Sequence, residues 1–357
     1  MSRGKKILLA VVNGVLVLLA LGCLLSVLHL RRLLPSQEAA ERWRGGSELN
    51  YSQISAFVPV DEKLSLNQIY EFRRAMMTRL HEAALDIDND EQLFTDAWCV
   101  TGKAIATTDL GKGDASVIAV GGNFFGFHPI QLINGSYFQP QDLMKDRVLL
   151  DEELAWLLYG GTNLQGMEVK IDGVPFVISG VIRREQDFAS KKAYTAGMGL
   201  YMSYDAWAAM KEGTGITTYE LVMAEPVKNF TINLAREKFP IGQGELLQNS
   251  GRFEFGRLLG LVRQFGSRSM QKLGVLYPYW ENAARCIEDW CSLLLFLCLL
   301  LSVLPIACGL VLLQRMLRRG KEKLEDDLLP EWKDQAEEAI RVQQRRRWEK
   351  KHGEHEK

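Results

Sequence analysis

The sequence predicts a mixed α+β domain held between two membrane-crossing helices. Three observations predict it. Two long uncharged runs stand near the ends of the chain. The polar middle alternates between strand-like and helix-like patterns. The composition is otherwise that of a globular protein, with 24% charged and 47% hydrophobic residues in 357. Lys plus Arg number 43 against 44 Asp plus Glu, so the basic surplus of a nucleic-acid binder is missing. Mean hydropathy is −0.08, which excludes a carrier built mainly of membrane spans.

The first run, Ile7 to Leu30, would cover about 36 Å as a helix, enough for a ~30 Å hydrocarbon core. Arg3, Lys5 and Lys6 precede it as in a signal peptide, but the run is far longer than a signal core. Ala20-Leu21-Gly22-Cys23 resembles a lipoprotein cleavage site, yet uncharged residues continue past Cys23. The second run, Cys291 to Leu313, contains Pro305, a kink position that neighbouring groups must satisfy. Arg315, Arg318, Arg319, Lys321 and Lys323 follow it, whereas Arg285 is the one nearby base before it. By the positive-inside rule both termini are expected in the cytoplasm. Tyr277, Tyr279, Trp280 and Trp290 lead into this run and read as an interfacial aromatic belt. The expected partition is 1–6 cytoplasmic, 7–30 first span, 31–290 extracytoplasmic, 291–313 second span and 314–357 a charged cytoplasmic tail. Of six cysteines, four fall in the spans, leaving Cys99 and Cys286 as the one conceivable outer pair.

Within the middle, Tyr51 to Val58 partly alternates and reads as a strand. Leu66 to Ala84 carries Ile69, Phe72, Met76 and Leu80 at helical spacing behind Ser65 as N-cap. Strands follow in Leu93 to Val120, broken at Asp109 to Asp114, and again at Val148–Leu150, Glu168–Ile171 and Phe176–Arg183. Asp172-Gly173 marks a hairpin between the last two, and Glu152 to Tyr159 reads as a helix closed by Gly160-Gly161. Tyr204 to Lys211 and Pro226 to Phe239 read as helices around a strand at Glu220 to Ala224. Residues 241–270 give weak signals. This order suggests two lobes, a hairpin-rich one inserted into the other. Tyr277 to Trp290 is expected to extend the second span outward as a lever.

One ordered set of residues resembles a known family. Val117-Ile118-Ala119-Val120 leads to Gly135-Ser136-Tyr137-Phe138, then Val148-Leu149-Leu150, Ala155 with Leu158-Tyr159-Gly160, and Gly166, Gly173, Phe176, Ile178, Gly180 and Val181. The series resembles the periplasmic core domain of MacB/FtsX-type ABC transporter permeases, a bacterial family. The resemblance implies a porter-like lobe with the hairpin-rich lobe inserted, a bacterial cell-membrane location, and no enzymatic activity of the chain itself. It also implies an ABC ATPase partner and a homo- or hetero-dimeric permease partner. Family permeases continue with two further spans, so the chain is expected to be a short two-span member. The rival reading is a two-span scaffold or sensor that binds a peptide or envelope component without an ATPase.

Chemistry is otherwise sparse. No phosphate loop G-x-x-x-x-G-K-[ST] occurs, and no Cys/His spacing suits a metal, so no cofactor is expected. Asp86, Asp88 and Asp90 imitate the start of a calcium loop, but Glu91 stands where the loop needs Gly. His81 and His128 have no neighbouring nucleophile. The tail from Gly320 has 10 bases and 11 acids, with Trp332, Ala336, Ala339 and Ile340 at helical spacing before Arg345-Arg346-Arg347-Trp348. It reads as a solvated helix or as one lying on the inner leaflet or on a cytoplasmic partner.

Overall fold

Among the described residues ten strands hydrogen-bond into one sheet, and its central strands set the position of everything else. The computed structural model describes residues 2–83, 93–194, 198–268, 277–323 and 329–352. Chain order begins with α1 (Arg3–Arg31), α2 (Ala39–Arg44), β1 (Tyr51–Phe57), α3 (Leu66–Glu82), β2 (Phe94–Thr107) and β3 (Lys112–Gly122). It continues with α4 (Phe124–Phe127), β4 (Gln131–Gly135), β5 (Arg147–Asp151), α5 (Glu152–Tyr159), β6 (Glu168–Ile171) and β7 (Val174–Arg183). Then come α6 (Phe188–Ala193), β8 (Met198–Ser203), α7 (Tyr204–Met210), β9 (Thr218–Ala224), α8 (Phe230–Lys238), β10 (Glu245–Gln248) and α9 (Phe255–Leu261). α10 (Tyr279–Lys323) and α11 (Leu329–His352) complete it.

The sheet order is β10-β1-β9-β2-β3-β8-β5-β7-β4, with β6 bridging β2 and β7. Its first four strands, all antiparallel, form with α3 and α8 a β-α-β-β-α-β unit of the split-βαβ type. Everything from β3 to α7 is inserted between the second and third strands of that unit. The insertion expected from the sequence is thus present, but it extends the same sheet. β2 is the join, pairing with β9 over residues 94–99 and with β3 over 97–107.

Local chemistry explains the elements. Ser65 and Gln68 form a capping box: the Ser65 hydroxyl accepts the Gln68 N–H at 3.4 Å, and the Gln68 side chain accepts the Ser65 N–H at 2.9 Å. Ile69, Phe72, Met76 and Leu80 then face the sheet, each worth ~2 kcal/mol of burial. Asp172 and Gly173 both take positive φ (48° and 86°), as the tight hairpin turn between β6 and β7 requires. α8 starts later than its sequence suggests, because Asn229 adopts a left-handed conformation ahead of it.

The strands alternate between two covered faces. Leu221 and Met223 of β9 join α3, α5, α7 and α8 on one face, while Val222 joins α2, α4, Tyr279 and Trp280 on the other. A third cluster packs Val27 and Leu34, at and beyond the end of α1, with Leu258 of α9 and Ala283, Ala284, Ile287 and Leu295 of α10. Leu24–Phe296 form one compact unit, and Met1–Cys23 with Leu297–Lys357 another. Within the second of these, the Asn13 amide donates to the Leu9 carbonyl at 2.8 Å and lies 3.6 Å from Cys308 Sγ. α1 and α10 are both long and apolar enough to cross a membrane. α10 runs helical through Pro305.

Candidate functional site: a buried charge clamp at the base of the second long helix

α10 does not begin at its apolar run. Its first turns are embedded in the domain, and the charges they carry are buried there. Glu281, Arg285 and Glu288 recur at i, i+4 and i+7, which places all three on one helical face. That face meets Arg252, which follows β10 and is 1% exposed. The Arg252 guanidinium donates to Glu281 at 2.7 and 2.8 Å, to Glu288 at 3.1 Å, and to Gln37 Oε1 at 2.9 Å. Its Nε also lies 2.9 Å from Glu288. Arg285 donates to Glu281 at 2.6 Å and to Glu245 at 3.0 Å, and sits 4.0 Å from the Tyr277 ring centre. Arg268 donates to Glu288 at 2.7 Å, and the Gly266 N–H donates to Asp289 at 2.9 Å.

Three arginines and four carboxylates therefore meet here, with Arg252, Arg285, Glu281, Glu288 and Asp289 buried and Arg268 and Glu245 closing the rim. Two charges out of water are costly unless their geometry is good, and here each guanidinium is shared between carboxylates. Burial alone would raise the Glu288 pKa, but Arg252 and Arg268 outweigh it and hold the carboxyl below its ordinary range. For Arg252 burial opposes the charge, and Glu281 with Glu288 overcomes it and raises the pKa. Asp289 has the opposite balance: burial dominates, and its pKa rises.

The clamp continues into the sheet. Asn249 donates to Gln37 Oε1 at 2.8 Å, and its Oδ1 lies 3.0 Å from the Ser55 hydroxyl on β1. That hydroxyl is also 3.2 Å from Glu220 of β9, which pairs with buried His128. Gln53 of β1 donates to the Ser36 carbonyl at 2.7 Å and accepts the Ala39 N–H at 3.0 Å, fastening the segment after α1 to the same strand. The arrangement can hold a helix rigidly to a sheet. Among the described residues no group of three His, Cys, Asp or Glu is disposed to hold a metal.

The sequence-selected residues fall elsewhere. Gly135 and Gly180 face each other across β4 and β7; Gly135 has φ +84°, and a Cβ on it would run into the Ser179 carbonyl. Phe138, Ala155, Phe176 and Val181 are buried, Gly160 ends α5 in a left-handed conformation, and Gly166 and Gly173 occupy turns. They build the inserted half and take no part in the clamp. Ser179, a polar residue in an apolar position, donates to the Val148 carbonyl at 3.2 Å. Tyr277, Tyr279 and Trp280 are corrected: they are 3%, 8% and 4% exposed and pack inside the domain, because α10 starts there. Trp290 alone of that group is exposed. Arg315, Arg318 and Arg319 lie exposed on α10 beyond the apolar run. Cys99 and Cys286 are both free thiols. Asp86, Asp88, Asp90 and Glu91 lie outside the described residues. Arg252 and Gln37 went unread, the first in a stretch with weak local signals. The i, i+4, i+7 charges of α10 were the available clue.

The MacB-like periplasmic core domain family matches residues 53–238, from β1 to the end of α8. The chain belongs to this family. A MacB-like domain between two apolar helices fits a membrane protein with an extracytoplasmic segment, and makes the chain a MacB/FtsX-type membrane component. The family is that of ABC transporter permease components, which are generally not enzymes. Among solved structures, the extracellular domain of the ABC-type transporter YknZ from Gram-positive bacteria is 13% identical (TM-score 0.37), over 53% of this chain and 92% of that one. The periplasmic region of MacB from Actinobacillus actinomycetemcomitans is 13% identical (TM-score 0.38), over 56% and 89%. No curated protein matches the chain in sequence.

Proposed function

We propose that this MacB-like chain is the membrane subunit of an ABC transport or mechanotransmission system, coupling a partner ATPase to its extracytoplasmic domain. In this reading residues 7–30 and 291–313 cross the bilayer, 31–290 lie outside, and both termini are cytoplasmic. The excess of bases after Leu313 supports that orientation. Trp290 and Arg315, Arg318 and Arg319 then mark the two interfaces of the second span. A homo- or hetero-dimeric permease partner and membrane lipid complete the assembly.

The carrying observation is the clamp of Arg252 on Glu281 and Glu288. Motion can pass from a helix to a domain only if their joint is stiffer than the load. A helix tethered by a flexible linker would absorb a tilt of its cytoplasmic end, whereas one pinned by shared buried ion pairs passes the tilt to the sheet. The test is to tag the C-terminus, extract native membranes in mild detergent and identify co-purifying proteins. Near-stoichiometric recovery of an ABC ATPase is expected. Recovery of the chain without one, under conditions that preserve a known ABC complex, would reject the coupling role and favour a scaffold or sensor.

A further inference from the structure

The sheet face that carries Tyr279 and Trp280 is only partly covered. Past the aromatic cluster, two rows of paired residues line a cleft of about 840 Å³. One row is Thr101, Ile118 and Tyr201, and the next is Lys103, Ser116 and Gly199, taken in register across β2, β3 and β8. Ser116 is small and half-buried, and its place in the row is the hollow, while Gly199 is covered by Arg184 and Asp151. The walls come from α6 with Tyr194 and from the segment between Tyr277 and Cys286. The volume falls in the range of ligand sites, ~300–1,000 Å³.

The lining has one dominant sign of charge. Asp151 is spent internally: it caps α5 through the Leu154 N–H at 2.8 Å, accepts the Gly199 N–H at 2.5 Å, and pairs with Arg184 at 2.6 Å. Glu185, just outside the cleft, accepts the hydroxyls of Tyr194 and Tyr279, whose rings stack 4.0 Å apart. Lys103 and Lys192 are exposed, line the cleft, and have no carboxylate partner among the described residues. The cleft therefore combines an aromatic and apolar wall with two uncompensated ammonium groups, a combination complementary to an anionic amphiphile. Cys286 lines it as well, and stands five residues, about 7.5 Å along α10, before Cys291, where the apolar run begins.

We propose that this cleft holds a membrane lipid with a phosphate headgroup, the phosphate on the side of Lys103 and Lys192 and an acyl chain along the tyrosine wall. The proposal rests on the reading that α10 crosses the bilayer, which places the cleft beside the lipid headgroups. Cys286 supplies the reporter. The full chain in a non-ionic detergent is treated with a small maleimide, and alkylation of Cys286 is followed by peptide mass spectrometry. Phosphatidylglycerol is expected to slow it about fivefold or more, while diacylglycerol and inorganic phosphate leave it unchanged. The K103E/K192E variant, with an unchanged melting temperature, is expected to lose the protection. S116W, which fills the hollow and keeps both lysines, should lose it too.

Equal protection by diacylglycerol would overturn phosphate recognition, and protection by inorganic phosphate alone would overturn the lipid. Protection that survives in both variants would mean a general micelle effect and reject the site. Retention of the chain in membranes washed with alkaline carbonate tests the spanning reading separately, so the two failures cannot be confused.

Discussion

Arg252 satisfies two carboxylates at once, and its removal leaves buried Glu281 with Arg285 alone and buried Glu288 with Arg268 alone, each with one counter-charge in place of two. R252M is expected to destabilise the domain by about 3–5 kcal/mol, read as a lowered denaturation midpoint of the full chain in detergent by Trp fluorescence. Neutralising the partners in R252M/E281Q/E288Q should restore part of that loss, because the penalty lies in the under-compensated carboxylates, while Arg285 keeps Glu245 and Arg268 keeps Asp289. Acid should weaken the clamp as well. The Glu288 pKa is depressed in the folded state, so its contribution is complete above the ordinary glutamate range near 4.5 and is lost as pH falls through the lower folded value. The stability advantage of the native chain over E288Q should therefore shrink as pH drops below about 4.5, in melting curves recorded from pH 7 to pH 3. An advantage constant over that range would refute the assignment. None of this was legible at Arg252 itself, whose partners are 29 and 36 positions away; the charges of α10 were visible, but no local rule says what faces them.

Among the elements, those whose signal is local could be read, and those held by distant partners could not. α3 announces itself through Ser65, Gln68 and four apolar residues at helical spacing, and the β6–β7 hairpin through Asp172-Gly173. S65A should cost about 1 kcal/mol by removing one half of the capping box. β10 has four residues in a Gly-, Arg- and Ser-rich stretch, and β8 carries Gly199 and pairs in parallel with β3. Their strand character comes from neighbours far away in sequence, which propensity does not report. The family glycines were found by resemblance, and the structure gives them separate reasons. G135A must adopt φ +84° and meets the backbone opposite, so it should cost about 2 kcal/mol or more, whereas G160A meets open space and should cost ~1 kcal/mol. Urea midpoints of the two variants, compared side by side, decide this; equal losses would remove the close-approach argument.

For the whole molecule, two long apolar helices and a domain between them were legible because charge-free runs of such length are rare in soluble chains. The aromatic belt was misread for a physical reason. Tyr277, Tyr279 and Trp280 precede an apolar run, and such rings are buried as well by a β-sheet as by a lipid headgroup layer. The sheet received them, which moves the start of α10 into the domain. On the proposed coupling role, three Gly/Ser residues inserted after Asp289 separate the clamp from the apolar run. The inserted chain should reach the membrane at normal levels with its domain folded, yet fail to restore activity in a strain lacking the protein. Full restoration would eliminate the rigid-joint account.

The placement of β1 has a consequence for the order in which the chain is made. Both of its edges are filled by β9 and β10, which leave the ribosome roughly 160 to 190 residues later. At ~5–20 residues per second β1 waits for about ten to thirty seconds with its backbone unpaired, the state in which strands recruit one another between molecules. Ser52, Gln53 and Ser55 give that waiting strand a polar side chain at three of its seven positions. Gln53 and Ser55, which later connect the sheet to the clamp, thus first serve with Ser52 as a safeguard during synthesis, and apolar replacements there would lower the yield of folded chain before they altered any finished molecule.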